Sequence, residues 1–90
     1  MESQSNIAHA GRAEAGFGLS DRQIECLYWA MEGKSAGVIG QILGISGRTV
    51  EGHLAKACET LGVRTRVQAV VRVRDMGLLR GAEITARRNQ

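Results

Sequence analysis

The stretch AGVIGQILGISGRTVEGHLA, residues 36–55, decides the reading of this chain. Ile39 and Leu43 fall four apart, on one face of a helix, and Gly40 between them leaves room for a second helix to approach closely. Gly44 follows as a helix-ending residue able to take a positive φ. Ile45 then turns inward, Ser46 is placed to cap a new helix, and Val50 and Leu54 continue an apolar stripe at helical spacing. Two helices joined by a tight turn containing glycine make a helix-turn-helix, whose second helix is the element that enters a major groove. Helical hairpins with no DNA function share this spacing, so the flanking residues must decide.

Ninety residues form one domain with an economical core. The chain has no Pro and one each of Phe, Trp and Tyr, which favours helices with small core side chains over a β-sandwich. No apolar run has the length of a membrane span, and the N-terminus lacks the basic-then-apolar pattern of a signal peptide, so a cytoplasmic protein is expected. Cys26 and Cys58 lie far apart inside predicted helices with no CxxC, as packed, reduced thiols do. A net charge of +3 is modest, but Arg64, Arg66, Arg72 and Arg74 cluster after the second motif helix, and Arg80, Arg87 and Arg88 follow in the tail. Beside a helix-turn-helix, such a cluster suits phosphates.

Residues 1–18, rich in Ser, Ala and Gly, read as a mobile arm, and residues 80–90 as a frayed tail. Order is expected from Leu19. Ser20 and Gln23 form a capping box, with Leu19 and Ile24 placed for a hydrophobic staple. The first helix should run over 21–32 and stop at Gly33. Its core face is open between Ile24/Leu27/Tyr28/Met31 and Cys26/Leu27/Ala30, with Leu27 common to both. Ser35 caps a second helix that ends at Gly44. Ser46 caps a third, 47–61, with Val50, Leu54, Ala57 and Leu61 inward and Arg48, Glu51, Gly52, Ala55, Lys56 and Glu59 outward. Thr65 caps a fourth, 66–76, ended by Gly77, with Leu78 and Leu79 folding back. If Ala69, Val70 and Val73 face inward, Val67 and Val71 make a second stripe, with Arg74 and Asp75 one turn on. This stripe reads as a self-association seam rather than as surplus core.

From Leu19 to Leu79, about two-thirds of the chain, the sequence resembles the LuxR/GerE family of four-helix DNA-binding domains. The resemblance rests on Leu19-Ser20, Arg22, Glu25-Cys26-Leu27, Trp29, Glu32-Gly33-Lys34-Ser35, Ile39-Gly40, Ile42-Leu43-Gly44-Ile45-Ser46 and Arg48-Thr49-Val50. It continues through His53-Leu54, Leu61-Gly62-Val63, Arg66 and Gln68-Ala69-Val70. The ECLYWAMEGKS stretch is most similar to the quorum-sensing branch. The resemblance implies an all-α domain whose third helix reads the major groove, whose fourth makes the homodimer, and which acts on promoters. Departures are Gln23 where Glu is common, and the short or acidic Glu51, Gly52 and Ala55 on the reading face. Eighteen irregular residues cannot hold the ligand-binding or receiver domain usual in the family. A stand-alone domain or a piece of a longer protein is therefore expected, with no small-molecule ligand in this chain.

The proposed DNA contacts are Lys34, Ser46, Arg48, Thr49, Glu51, Gly52, His53, Ala55 and Lys56. Lys34 precedes a capped helix N-terminus, itself an anion site, while Arg48 and Lys56 suit phosphates. Thr49 suits either a phosphate or a back-bond within its own helix. Glu51 suits cytosine N4 and Ala55 a thymine methyl. Gly52 offers no side chain, and His53 suits packing or backbone positioning, without partners for a metal. No nucleophile, acid pair or phosphate-cradling loop is present, and Gly33-Lys34-Ser35 lacks the preceding glycine of a P-loop. Neither enzyme nor cofactor is implied. Two functions remain: a homodimeric transcription regulator on a pseudo-palindromic site, or an interaction protein that pairs through helix 66–76 with a full-length LuxR-type regulator.

Overall fold

The computed structural model describes residues 14–79, so expectations for 1–13 and for the tail at 80–90 lie outside the described residues. Four helices follow a short hairpin: β1 (Glu14–Gly16), β2 (Leu19–Ser20), α1 (Asp21–Met31), α2 (Ala36–Leu43), α3 (Gly47–Leu61) and α4 (Arg66–Asp75). The all-α domain and its helix boundaries agree with the sequence reading to within a residue. Each start is set by a hydroxyl: Ser20, Ser35, Ser46 and Thr65 accept from the backbone N–H three residues on. Ser20/Gln23 and Thr65/Gln68 close reciprocal capping boxes.

The hairpin takes in residues 14–18, part of the stretch read as an arm. Strands β1 and β2 pair antiparallel, Glu14 opposite Ser20 and Gly16 opposite Leu19. The two-residue loop between them has φ of 58° at Phe17 and 81° at Gly18. Positive φ at both loop positions matches the right-handed twist of the flanking strands. A pairing this short leaves no period in the sequence to detect.

Helices α1 and α3 each pack on the other three. That enclosure settles the face of α1: all six residues from Ile24 to Trp29 are buried, so neither sequence-based stripe was complete. Met31, a member of one stripe, is exposed instead. Glu25 is buried within this run because its carboxylate takes a hydrogen bond from Arg22 Nη1 at 3.0 Å. The core is Leu19, the apolar part of that run, Ile39, Val50, Leu54, Ala57, Ala69, Val73 and Leu79. Leu79 returns to it because Gly77 turns the chain, with Leu78 N–H donating to the Val73 carbonyl. Burial pushes the Cys26 thiol up to about 11, with Glu25 adding to the shift and Arg22 opposing it.

Candidate nucleic-acid interface

The turn between α2 and α3 fixes how α3 is presented. Gly44 has φ of 76°, and the Gly40 carbonyl accepts from both Gly44 N (2.8 Å) and Ile45 N (2.9 Å). A Cβ at Gly40 would stand 2.5 Å from the Ile45 carbonyl oxygen and 3.1 Å from Gly47 N. The sequence reading anticipated this approach. It missed the second one, where the position of a Gly47 Cβ lies 3.4 Å from Gly37 Cα. Backbone therefore meets backbone at two places, and α3 crosses α2 with no side chain between them at those points.

The first turn of α3 is tied to its cap. Ser46 Oγ accepts from Thr49 N at 3.0 Å and donates to Thr49 Oγ1 at 3.0 Å. Both Thr49 N and Thr49 Oγ1 thus meet the Ser46 hydroxyl, which ties the exposed Thr49 side chain to the cap. From this turn Arg48, Thr49, Glu51, Gly52, Ala55 and Lys56 are exposed, while His53 is half-buried against the domain. Lys56 Nζ lies 3.9 Å from Glu59 Oε1, a loose pair between two solvated side chains. Gly52 has open space where a Cβ would stand, so nothing in the fold requires glycine there. Lys34 stands apart, exposed on the α1–α2 loop beside the Ser35 cap of α2, whose Oγ accepts from Val38 N at 3.2 Å.

One contact on this face was not foreseen. Arg66, the first residue of α4, donates from Nη2 to Glu51 Oε1 at 3.0 Å. The two residues are fifteen apart with an irregular link between them, and no local spacing relates them.

On the far side of α4, Val67 is 70% exposed and Val71 39%. With Val63, Gln68, Arg72 and Asp75 they line a shallow groove of about 310 Å³. Asp75 also pairs with Arg74 at 3.6 Å, so these two expected seam residues meet at the end of the valine stripe. Among the described residues no helix is long and apolar enough to cross a membrane.

A glycine-hinged helix pair with a capped, exposed second helix defines a helix-turn-helix domain. Residues 18–73 match the luxR family of bacterial regulatory proteins, and the chain belongs to that family. It is 46% identical over 61 residues to the transcriptional activator protein AhyR of Aeromonas hydrophila, covering 68% of this chain and 24% of AhyR. It is 39% identical over 84 residues to the transcriptional activator protein SolR of Ralstonia nicotianae, covering 83% of this chain and 36% of SolR. The quorum sensing-dependent transcriptional regulator RpaR of Rhodopseudomonas palustris is 42% identical over 62 residues, covering 69% of this chain and 26% of RpaR. The chain thus spans about a quarter to a third of the length of these relatives. No solved structure matches it significantly.

Proposed function

We propose that this domain regulates transcription by binding a pseudo-palindromic promoter site as a homodimer, with α3 in the major groove. The observation that carries the reading is the outward face of α3: Arg48, Thr49, Glu51, Gly52, Ala55 and Lys56 are exposed on a helix that starts at a capped N-terminus and is seated on α2 where Gly40 meets the backbone of the turn. Lys34, Arg48, Thr49 and Lys56 hold phosphates, and Ser46 orders the turn that presents them. Glu51 and Ala55 face base edges, Gly52 leaves the groove floor open, and half-buried His53 positions the helix. With so few long side chains on this face, the ratio of specific to non-specific affinity falls near the low end of the usual range of roughly 10³–10⁷.

The exposed Val67/Val71 stripe supports the dimer, since two copies related by a two-fold axis would each cover the other's valines. The same stripe also supports pairing with a full-length LuxR-type regulator, in which case the domain modulates that protein. Selection of binding sites from a randomised duplex pool separates the two. An enriched inverted repeat supports the homodimeric regulator. Absence of duplex binding at low salt, together with stable association with a full-length LuxR-type protein, supports the modulator and overturns the first reading.

A further inference from the structure

The Glu51–Arg66 pair joins the base-facing side of α3 to the first turn of α4. The first turn of a helix carries partial positive charge, which disfavours an arginine there, and α4 has no acidic residue in that turn. Glu51 supplies the missing negative charge from the neighbouring helix. Only Oε1 is engaged at 3.0 Å, and Oε2 takes no hydrogen bond among the described residues. Both side chains are partly open to solvent, 39% for Arg66 and 58% for Glu51, so the pair stands at the surface that a duplex would meet.

A free carboxylate at that surface would repel the phosphates and swing among rotamers. We propose that Arg66 is a positioning residue for base readout: it fixes Glu51 through one carboxylate oxygen and offsets its charge, leaving the other oxygen to accept from cytosine N4. This role rests on α3 entering the major groove. The unit of readout is then a pair contributed by two helices, not the single acid on α3.

Five proteins test it by site selection from a randomised duplex pool: wild type, Glu51→Ala, Arg66→Ala, the double variant and Arg66→Lys, with folding checked by circular dichroism. The wild type is expected to enrich a C·G pair at one position of each half-site. Each single alanine variant should lose that enrichment by roughly tenfold, the scale of one good base contact, and the double variant should lose no more than either. Arg66→Lys should restore part of the preference, because a cation still faces Oε1. A merely structural or phosphate-binding Arg66 would change overall affinity and leave the base preference intact, and that result overturns the proposal. So does a preference unaffected by Glu51→Ala. A wild type that binds duplexes while Arg66→Ala keeps its preference refutes only the positioning role. A wild type that binds no duplex at low salt refutes the DNA-binding reading as well.

Discussion

Replacing Gly40 by alanine sets two opposed effects against each other at one atom. The added methyl raises helix propensity by about 1 kcal/mol, because glycine is the costlier residue in a helix interior. The same methyl would sit 2.5 Å from the Ile45 carbonyl oxygen, with Gly47 N and Ser46 C both at 3.1 Å. All three are backbone atoms of the turn, so no side-chain rotamer can relieve the clash. The Ile45 carbonyl must withdraw to about 3.4 Å before the contact is ordinary, and Ile45 N is itself bonded to the Gly40 carbonyl at 2.9 Å. Overpacking of this kind costs about 1–3 kcal/mol, and with rigid partners the upper half applies. The net loss is therefore about 1–2 kcal/mol, a fall in Tm of roughly 5–15 °C for a domain this size. Thermal unfolding followed by circular dichroism and by the fluorescence of Trp29, the sole and buried tryptophan, measures it. A variant as stable as the parent, or more so, would show that the α2–α3 crossing is not set by backbone contact at Gly40.

Gly52→Ala makes the same propensity change with nothing within 4 Å, so it should raise stability by about 0.5–1 kcal/mol; a destabilised variant in the same melting experiment would contradict the open surface found there. Val71→Glu would place like charges across the proposed two-fold seam and should shift the proposed dimer to monomer in sedimentation with helicity retained, whereas an unchanged dimer would put the interface elsewhere and a parent monomeric at high concentration would remove it. Lys56→Ala should weaken specific and random duplexes alike and reduce the salt slope by roughly 1, read by fluorescence anisotropy; loss of sequence preference instead would make Lys56 a base contact. The Cys26 thiol keeps its proton more tightly in the folded chain, about 11 against 9.0, so its contribution is fully present below pH 9 and is lost as pH rises through 11. Denaturant titrations across this range should show a larger alkaline loss of stability for the parent than for Cys26→Ala, and equal losses would refute the assignment.

The four helices were legible because each carries its own punctuation: a hydroxyl at every start and a glycine near every end, so local chemistry and global fold agree. Of the inward stripe Val50, Leu54, Ala57 and Leu61 read on α3 from spacing alone, the first three are buried and Leu61 is half-buried against the core. The buried face of α1 did not follow from spacing, because a helix enclosed on most sides has no polar face to set a period, and even Glu25 is buried beside Arg22. The strand at 14–16 escaped notice because its turn places Phe17 at a positive φ more usual for Asn or Gly. At the interface, the exposed residues of α3 follow from helical geometry, whereas the Glu51–Arg66 pair and the Gly37–Gly47 approach arise only when separate elements meet.

On the proposed function, α3 carries the DNA contacts and the valine face of α4 does not. Amide chemical-shift mapping of the labelled protein titrated with a short duplex at low salt tests it most directly. The largest shifts are expected at Ser46, Arg48, Thr49, Glu51, Gly52, Ala55 and Lys56, with Lys34 following and Val67 and Val71 unmoved. Shifts concentrated at Val67 and Val71, or no shifts at all with excess duplex, would contradict it.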